Sequence, residues 1–433
     1  MIKPSFMTTV AAMALGLCAI PATAQTGENQ EQLIARGQYL ARVGDCAACH
    51  TSKGGQPFAG GLAFATPIGT IYSTNITPDK TNGIGNYTEA DFDQALRHGI
   101  RKDGSTLYPA MPYPSYAQVK PVDVKALYAY FTHTVKADPS PNRDNDIPWP
   151  LSMRWPLSFW RMVFAPTPAG DEATGDGQIA RGRYLVEGLG HCGACHTPRG
   201  VGLQEKALSD DGRLFLSGAV VDGYLANNLR GDSRDGLGKW TVQDIVSLLK
   251  SGRNGHSAVF GGMTDVVSMS TQHLSDDDLL AIANYLKSLA PANAAAVALV
   301  YDEKTHQALR SGSDKSNGAI NFLNNCAACH RSSGHGYDQT FPSLALSATV
   351  NADNPASLIR IVLAGAEMPW TKSAPTQFAM PGFGTRLSDQ DAAELLTFVR
   401  SSWGNSAGAV TPDMVAKVRK ELAQQAPAAS AHP

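Results

Sequence analysis

The chain has 433 residues and a formal net charge of −2 at pH 7, with 43% of its residues apolar and 17% charged. This is the composition of a folded chain with room for two to four domains, and it excludes a disordered polymer. The near-neutral balance gives no strong electrostatic pull toward nucleic acid or an anionic membrane.

Taken in chain order, the first predicted element is a signal peptide over residues 1–24. Lys3 supplies the positive start, residues 10–20 the apolar core, and Ala22-Thr23-Ala24 a small-residue cleavage site before Gln25. The apolar core is too short to cross a bilayer. Residues 281–300 come nearest elsewhere, and Lys287 and Pro291 interrupt them. The mature chain is therefore expected to be exported, and a membrane role would have to come from surface attachment or from a partner.

A first domain is predicted over 25–135. Its opening helix carries Arg36-Gly37-Gln38-Tyr39-Leu40 and runs into Cys46-x-x-Cys49-His50. A middle helix starts at a Thr88 cap with Asp91 three residues on. A last helix places Leu127, Tyr130 and Phe131 on one face. Residues 136–176, rich in proline and acidic side chains, read as a linker. The second domain, 177–290, repeats the plan. Arg181-Gly182-Arg183-Tyr184-Leu185 precedes Cys192-x-x-Cys195-His196, and Thr241/Asp244 and Ser275/Asp278 cap the following helices. Gly83-Ile84-Gly85-Asn86-Tyr87-Thr88 recurs as Gly236-Leu237-Gly238-Lys239-Trp240-Thr241. The first two domains thus read as duplicated copies. A second linker, 291–315, leads to a third domain over 316–403 with Cys326-x-x-Cys329-His330 and a Ser388/Asp391 cap. Residues 404–433 read as a polar tail holding a short helix near 413–424. The predicted fold class is all-α: three tandem domains joined by Pro/Ala-rich linkers.

Apart from Cys18 in the leader, every cysteine lies in Cys-x-x-Cys-His. Two thiols one helical turn apart can each form a thioether to a porphyrin edge, and the adjacent histidine can bind the iron, so the motif is the attachment signature of c-type haem. Three haems are expected, on Cys46, Cys49, Cys192, Cys195, Cys326 and Cys329, with His50, His196 and His330 as iron ligands. Redox disulfides would want a βαβ context that is absent, and zinc would want four ligands per site.

The second axial ligand decides the chemistry. A methionine closes the iron and suits electron transfer, whereas an open face suits peroxide chemistry. Met111, in Tyr108-Pro109-Ala110-Met111-Pro112, and Met380, in Met380-Pro381-Gly382-Phe383, sit in loops before the last helices. In the second domain Met263 is preferred over Met269. Met368, followed by Pro369, competes with Met380. His98 and His191 are candidate replacements. Arg36, Arg97, Arg101, Arg181, Arg230, Trp240 and Arg253 are candidates to steady the haem edges. Residues 148–164 carry Trp149, Trp155, Phe159, Trp160 and Phe164 around Arg154 and Arg161. They read either as an interface or as a linker packed on its own domains. No catalytic motif is present.

Longer blocks carry a family resemblance. They include Tyr72-Ser73-Thr74-Asn75-Ile76-Thr77-Pro78-Asp79, His98-Gly99-Ile100-Arg101-Lys102-Asp103-Gly104, and Leu107-Tyr108-Pro109-Ala110-Met111-Pro112-Tyr113-Pro114-Ser115. Trp149-Pro150-Leu151-Ser152-Met153-Arg154-Trp155-Pro156-Leu157 and the blocks 191–199, 256–263 and 379–383 complete them. Over nearly its whole mature length the chain resembles the three-haem cytochrome c subunit of the membrane-bound quinohaemoprotein alcohol dehydrogenases of acetic acid bacteria. That resemblance implies cytochrome c-like domains and a large-subunit partner holding pyrroloquinoline quinone (PQQ) and its own haem. It also implies electron delivery to ubiquinone, and axial pairs His50/Met111, His196/Met263 and His330/Met380. The subunit would do no substrate chemistry of its own. Sister cytochromes serve flavoprotein gluconate, sorbitol or fructose dehydrogenases; some of those end in a transmembrane helix, and the lack of one here leans toward the alcohol dehydrogenase group. A multihaem peroxidase and a free periplasmic carrier to a terminal oxidase are the competing readings.

Overall fold

The computed structural model describes residues 1, 28–170, 175 and 177–429, so the signal-peptide expectation lies, apart from Met1, outside the described residues. In the first domain α1 (Gln30–Val43) leads into the single-turn α2 (Cys46–His50). The hairpin β1 (Ala63–Thr66) and β2 (Gly69–Tyr72) follows, then α3 (Glu89–His98), α4 (Tyr113–Tyr116) and α5 (Pro121–His133). Helix α6 (Trp155–Phe164) bridges to the second domain. There α7 (Gln178–Arg183), α8 (Gly193–His196), the hairpin β3 (Ala219–Val221) and β4 (Tyr224–Ala226), α9 (Val242–Ser251), α10 (Gly262–Asp265) and α11 (Asp276–Ser288) repeat the order. The third domain has α12 (Lys304–Ser311), α13 (Asn317–Asn325), α14 (Ala327–His330), α15 (Ala348–Asn351) and α16 (Ala356–Ala364). The short pair β5 (Ala366–Glu367) and β6 (Ala379–Met380), then α17 (Asp389–Ser401) and α18 (Pro412–Ala429), complete it.

The helix starts follow the predicted caps. Thr88 and Thr241 form reciprocal capping boxes with Asp91 and Asp244, and Ser275 and Ser388 accept from the backbone N–H of Asp278 and Asp391. In each domain the helix leading into the Cys-x-x-Cys-His turn crosses a later long helix: α1 on α5, α7 on α11, α13 on α17. A glycine sits at every crossing. A Cβ on Gly37 would run into the Ala126 carbonyl, one on Gly182 into the Ala281 carbonyl, and one on Gly318 into Glu394 and Phe398. Alanine normally gains about 1 kcal/mol over glycine inside a helix. Here the backbone of the partner helix cannot yield, so overpacking at about 1–3 kcal/mol or more prevails. Gly182→Ala is therefore expected to lower thermal stability, read by calorimetry of the haem-loaded protein.

Cys46 lies nine positions after Gly37, but Cys192 lies ten after Gly182. The extra residue is taken up in a π-type stretch, Tyr184–Leu189, that continues α7 and kinks at Gly188.

The first two domains share one hydrophobic core, running from Leu33 through Tyr130 to Leu286. Their contact is reciprocal. Arg181 grips Asp278 through two bonds of 2.8 Å, and Arg36 pairs with Asp123. Tyr39 of the first domain then donates to Asp278 of the second at 2.6 Å, while Tyr184 of the second donates to Asp123 of the first. The third domain has its own core, centred on Phe322, Leu395 and Trp403. It leans on the second through α16 and β4, with Asn227 Nδ2 donating to Thr349 Oγ1 at 3.2 Å.

Three expectations need correction. Residues 136–170 are not a free linker: Asn75 holds the backbone carbonyls of Asp138 and Ser140, and the Arg97 guanidinium donates to the Ala169 carbonyl at 2.7 Å. The predicted second linker contains α12, whose Leu309 enters the third core. The predicted tail is a structural helix, because Val415 and Val418 on α18 are buried against α16 and α17. Among the described residues no helix is long and apolar enough to cross a membrane.

Candidate functional site

Each Cys-x-x-Cys-His occupies a single helical turn set after the first helix. In the first two domains a residue in left-handed backbone makes that turn possible, Asp45 at φ 50° and His191 at φ 36°. The leading thiols, Cys46, Cys192 and Cys326, point inward, and Cys49, Cys195 and Cys329 lie at the surface. Burial pushes the Cys46 and Cys192 thiols up to about 12, with neighbouring acidic groups adding, and does the same to Cys326. A dithiol enzyme needs the opposite, a thiol made acidic. Among the described residues no cluster of three or more His, Cys, Asp or Glu side chains gathers to form a zinc site.

The motif histidines share one arrangement. His50 Nδ1 lies 2.7 Å from the Thr74 carbonyl, His196 Nδ1 2.7 Å from the Asn227 carbonyl, and His330 Nδ1 3.0 Å from the Pro342 carbonyl. A carbonyl can only accept, so Nδ1 carries the proton and the lone pair of the neutral ring sits on Nε2. Burial lowers all three histidines below their usual range, outweighing the carbonyl bond, and keeps the rings neutral. A neutral imidazole with its far nitrogen anchored is the form in which histidine binds a metal. Three such histidines, each beside two thiols, fit covalently attached haem.

The methionines divide. Met111 is half-buried against the shared core in the loop that follows the Ile100–Thr106 bridge. Met263 stands on α10, also half-buried against that core, and follows the equivalent Arg253–Ala258 bridge. Each lies five residues beyond its bridge. Met269 is 44% exposed. In the third domain Met380 ends β6 and packs on the third core. Met368 is buried elsewhere, its sulfur accepting from Arg253 Nη1 at 3.7 Å where the second and third domains meet.

The arginine candidates are already committed. Arg36 and Arg181 hold Asp123 and Asp278, Arg97 pairs with Asp93, and Arg230 ties Asp210 at 2.9 Å to the Phe215 and Ala290 carbonyls. Arg253 serves Thr376 and Met368, Arg101 lies 3.9 Å from Asp103, and Trp240 stacks on His256. These contacts bind the loops together. His98 lies 3.7 Å from Asp93, and the His191 ring meets Tyr116.

A model of the cytochrome c family matches residues 34–134, 179–290 and 316–403, one stretch for each motif. The chain belongs to the cytochrome c family. Its three domains are cytochrome c domains carrying covalently bound c-type haem. This cytochrome is 55% identical to the gluconate 2-dehydrogenase cytochrome c subunit of Pantoea cypripedii, over 97% of each chain. It is 54% identical to the cytochrome c subunit of alcohol dehydrogenase (quinone) of Gluconacetobacter polyoxogenes, over 95% of this chain and 89% of that one. The fructose dehydrogenase cytochrome subunit of Gluconobacter japonicus is 38% identical, over 95% and 88%.

Sequence reasoning missed a buried carboxyl next to the first motif. Burial pushes Asp45 up to about 7, the nearby Asp265 adding to it, and its Oδ1 has no hydrogen-bond partner. Asp45 is neutral at pH 6 and ionises above about 7. The new negative charge beside Cys46 favours oxidised iron, so one haem potential is expected to fall between pH 6 and 8, by at most about 59 mV per unit. Asp45→Asn should flatten that slope in potentiometric titrations.

Proposed function

We propose that this cytochrome is the electron-transfer subunit of a dehydrogenase complex at the periplasmic face of the cytoplasmic membrane. It takes electrons from a PQQ- and haem-containing alcohol dehydrogenase large subunit and delivers them to ubiquinone. The observation that carries the reading is the threefold recurrence of an anchored, neutral histidine beside a thiol pair. It is joined to 54% identity with an alcohol dehydrogenase (quinone) cytochrome c subunit.

In this reading Cys46 and Cys49, Cys192 and Cys195, and Cys326 and Cys329 hold the three haems. His50 with Met111, His196 with Met263 and His330 with Met380 would hold the three irons. A bound c-type haem supplies a one-electron couple, and a histidine–methionine pair tunes it upward and leaves no open coordination position. Thr74, Asn227 and Pro342 hold the histidine rings through their carbonyls, and the shared core backs Met111 and Met263. Met263 is favoured over Met269 by its burial and by its place five residues beyond the bridge. Met380 is favoured over Met368 because Arg253 already engages the Met368 sulfur.

The deciding experiment is purification from membranes, with identification of the associated large subunit and assay of ubiquinone reduction by the complex. An alcohol-oxidising quinoprotein is the expected partner. The 55% identity over 97% of both chains with a gluconate 2-dehydrogenase subunit favours gluconate dehydrogenase as the second reading. Recovery of a gluconate-oxidising large subunit would establish it. A cytochrome that leaves the membrane alone and reduces an oxidase directly would overturn both.

A further inference from the structure

Helix α6 is apolar on both faces. Trp160 and Phe164 face inward: the Trp160 ring meets Tyr113, and its Nε1–H donates to the Gly202 carbonyl at 2.7 Å. Among the described residues the opposite face is left exposed. Trp155 is 72% exposed, Phe159 64% and Met162 72%, with Val163 beside them. Their spacing, i, i+4, i+7 and i+8, makes one continuous stripe. The stripe is extended by exposed Trp149 before the helix and by fully exposed Val201 on the second-domain turn that Trp160 clasps.

Within the helix segment itself the charge is one-sided, although Asp146 precedes it and Asp171 and Glu172 follow it in sequence. Residues 147–170 contain Arg154 and Arg161 and no acidic side chain. Arg154 lies over the Tyr108 ring and donates to the Thr106 carbonyl, which fixes it at the helix start. At the rim Asp103 is matched by Arg101, 3.9 Å away. Exposed Trp, Phe and Met flanked by arginine, on a helix that packs flat on its own protein, is the composition of a helix lying in a lipid interface.

We propose that the outer face of α6, with Trp149 and Val201, is where this cytochrome docks on an anionic phospholipid bilayer. The proposal deepens the reading that electrons leave for a membrane quinone. The helix rests directly on the strap holding Met111: Tyr108 reaches the Leu151 and Ser152 carbonyls, and Thr106 and Ser158 hydroxyls lie 3.0 Å apart. It also contacts the turn that follows His196. Docking through this face therefore brings the first and second haem domains to the level of the lipid headgroups.

The test uses the three-haem protein and vesicles of phosphatidylglycerol and phosphatidylcholine, read by flotation. Wild type should float, and Trp155→Ser/Phe159→Ser/Met162→Ser should lose binding at least tenfold. Val297→Ser/Val300→Ser, at exposed positions elsewhere, should bind as wild type. Unchanged haem absorbance and melting temperature in the triple variant show that the fold is retained. A single Phe159→Ser, expected to weaken binding less, serves if the triple variant does not fold. Equal flotation of wild type and variant overturns the proposal, and so does a variant that floats normally but no longer holds its dehydrogenase. The functional reading is checked apart from this. The complex with the triple variant should still reduce a short-chain, water-soluble quinone while failing on long-chain quinone in vesicles. Failure of the wild-type complex on both quinones would sink the quinone reading and leave vesicle binding to stand or fall alone.

Discussion

Met111→Ala is expected to drop one of the three haem potentials by on the order of 100 mV, within the roughly 0.8 V that axial ligation spans. The same variant should bind carbon monoxide at one reduced haem, because removal of the sulfur opens a coordination position. The loop should survive. Tyr113 N–H donates to the Met111 carbonyl at 2.8 Å, and Tyr108 and Tyr113 remain buried on either side, so the strap is held by groups the substitution leaves in place. The other two potentials should not move, since Met263 and Met380 belong to separate loops. Met368→Ala is the informative contrast. It empties a buried site and should cost about 2–5 kcal/mol of stability, yet it should leave every potential alone. Spectroelectrochemical titration separates the two outcomes. Three unchanged midpoints in Met111→Ala would remove Met111 from the coordination sphere. A shifted midpoint in Met368→Ala would make that residue the third-domain ligand.

What could be read from the sequence, and what could not, divides along the range of the interactions. Cys-x-x-Cys-His and the Thr88 and Thr241 capping boxes are local patterns, legible without the fold. The groups that orient the histidines are backbone carbonyls of Thr74, Asn227 and Pro342, 12 to 31 residues from their partners. A carbonyl has no side-chain signature, so no pattern announces it. The partners of the arginines are hidden for a related reason. Arg36 and Arg181 recur with the motifs because the duplicated domains recur, and the carboxylates they hold, Asp123 and Asp278, are 87 and 97 residues away. The 404–433 segment looked like a tail because α18 is polar on its outer side. Only the third core explains why Val415 and Val418 are buried.

The reciprocal contact makes the strongest demand on stability. If the first two domains share a core and the third has its own, calorimetry of the haem-loaded protein should resolve two transitions, and changes at the interface should move only one of them. Asp278→Ala takes the acceptor from Arg181 and from Tyr39 together. Breaking a buried pair costs about 3–5 kcal/mol. Because Arg181 is partly open to solvent, the expected loss is nearer 2–3 kcal/mol. At about 2–4 °C per kcal/mol for a unit of this size, the shared transition should fall by roughly 4–12 °C while the third-domain transition stays put. Acidity supplies a second readout. Burial pushes the Asp278 carboxyl up, but the Arg181 and Tyr39 bonds outweigh it and hold the group below its usual range. A carboxyl held low contributes its stability above the ordinary carboxylate pKa of about 3.9 and loses it as pH falls toward the lower folded value. The gap between wild type and Asp278→Ala should therefore be full at pH 7 and close below about pH 4. A gap that persists into acid would mean that the side chain acts by packing, and a shift in both transitions would mean that the third domain unfolds with the other two.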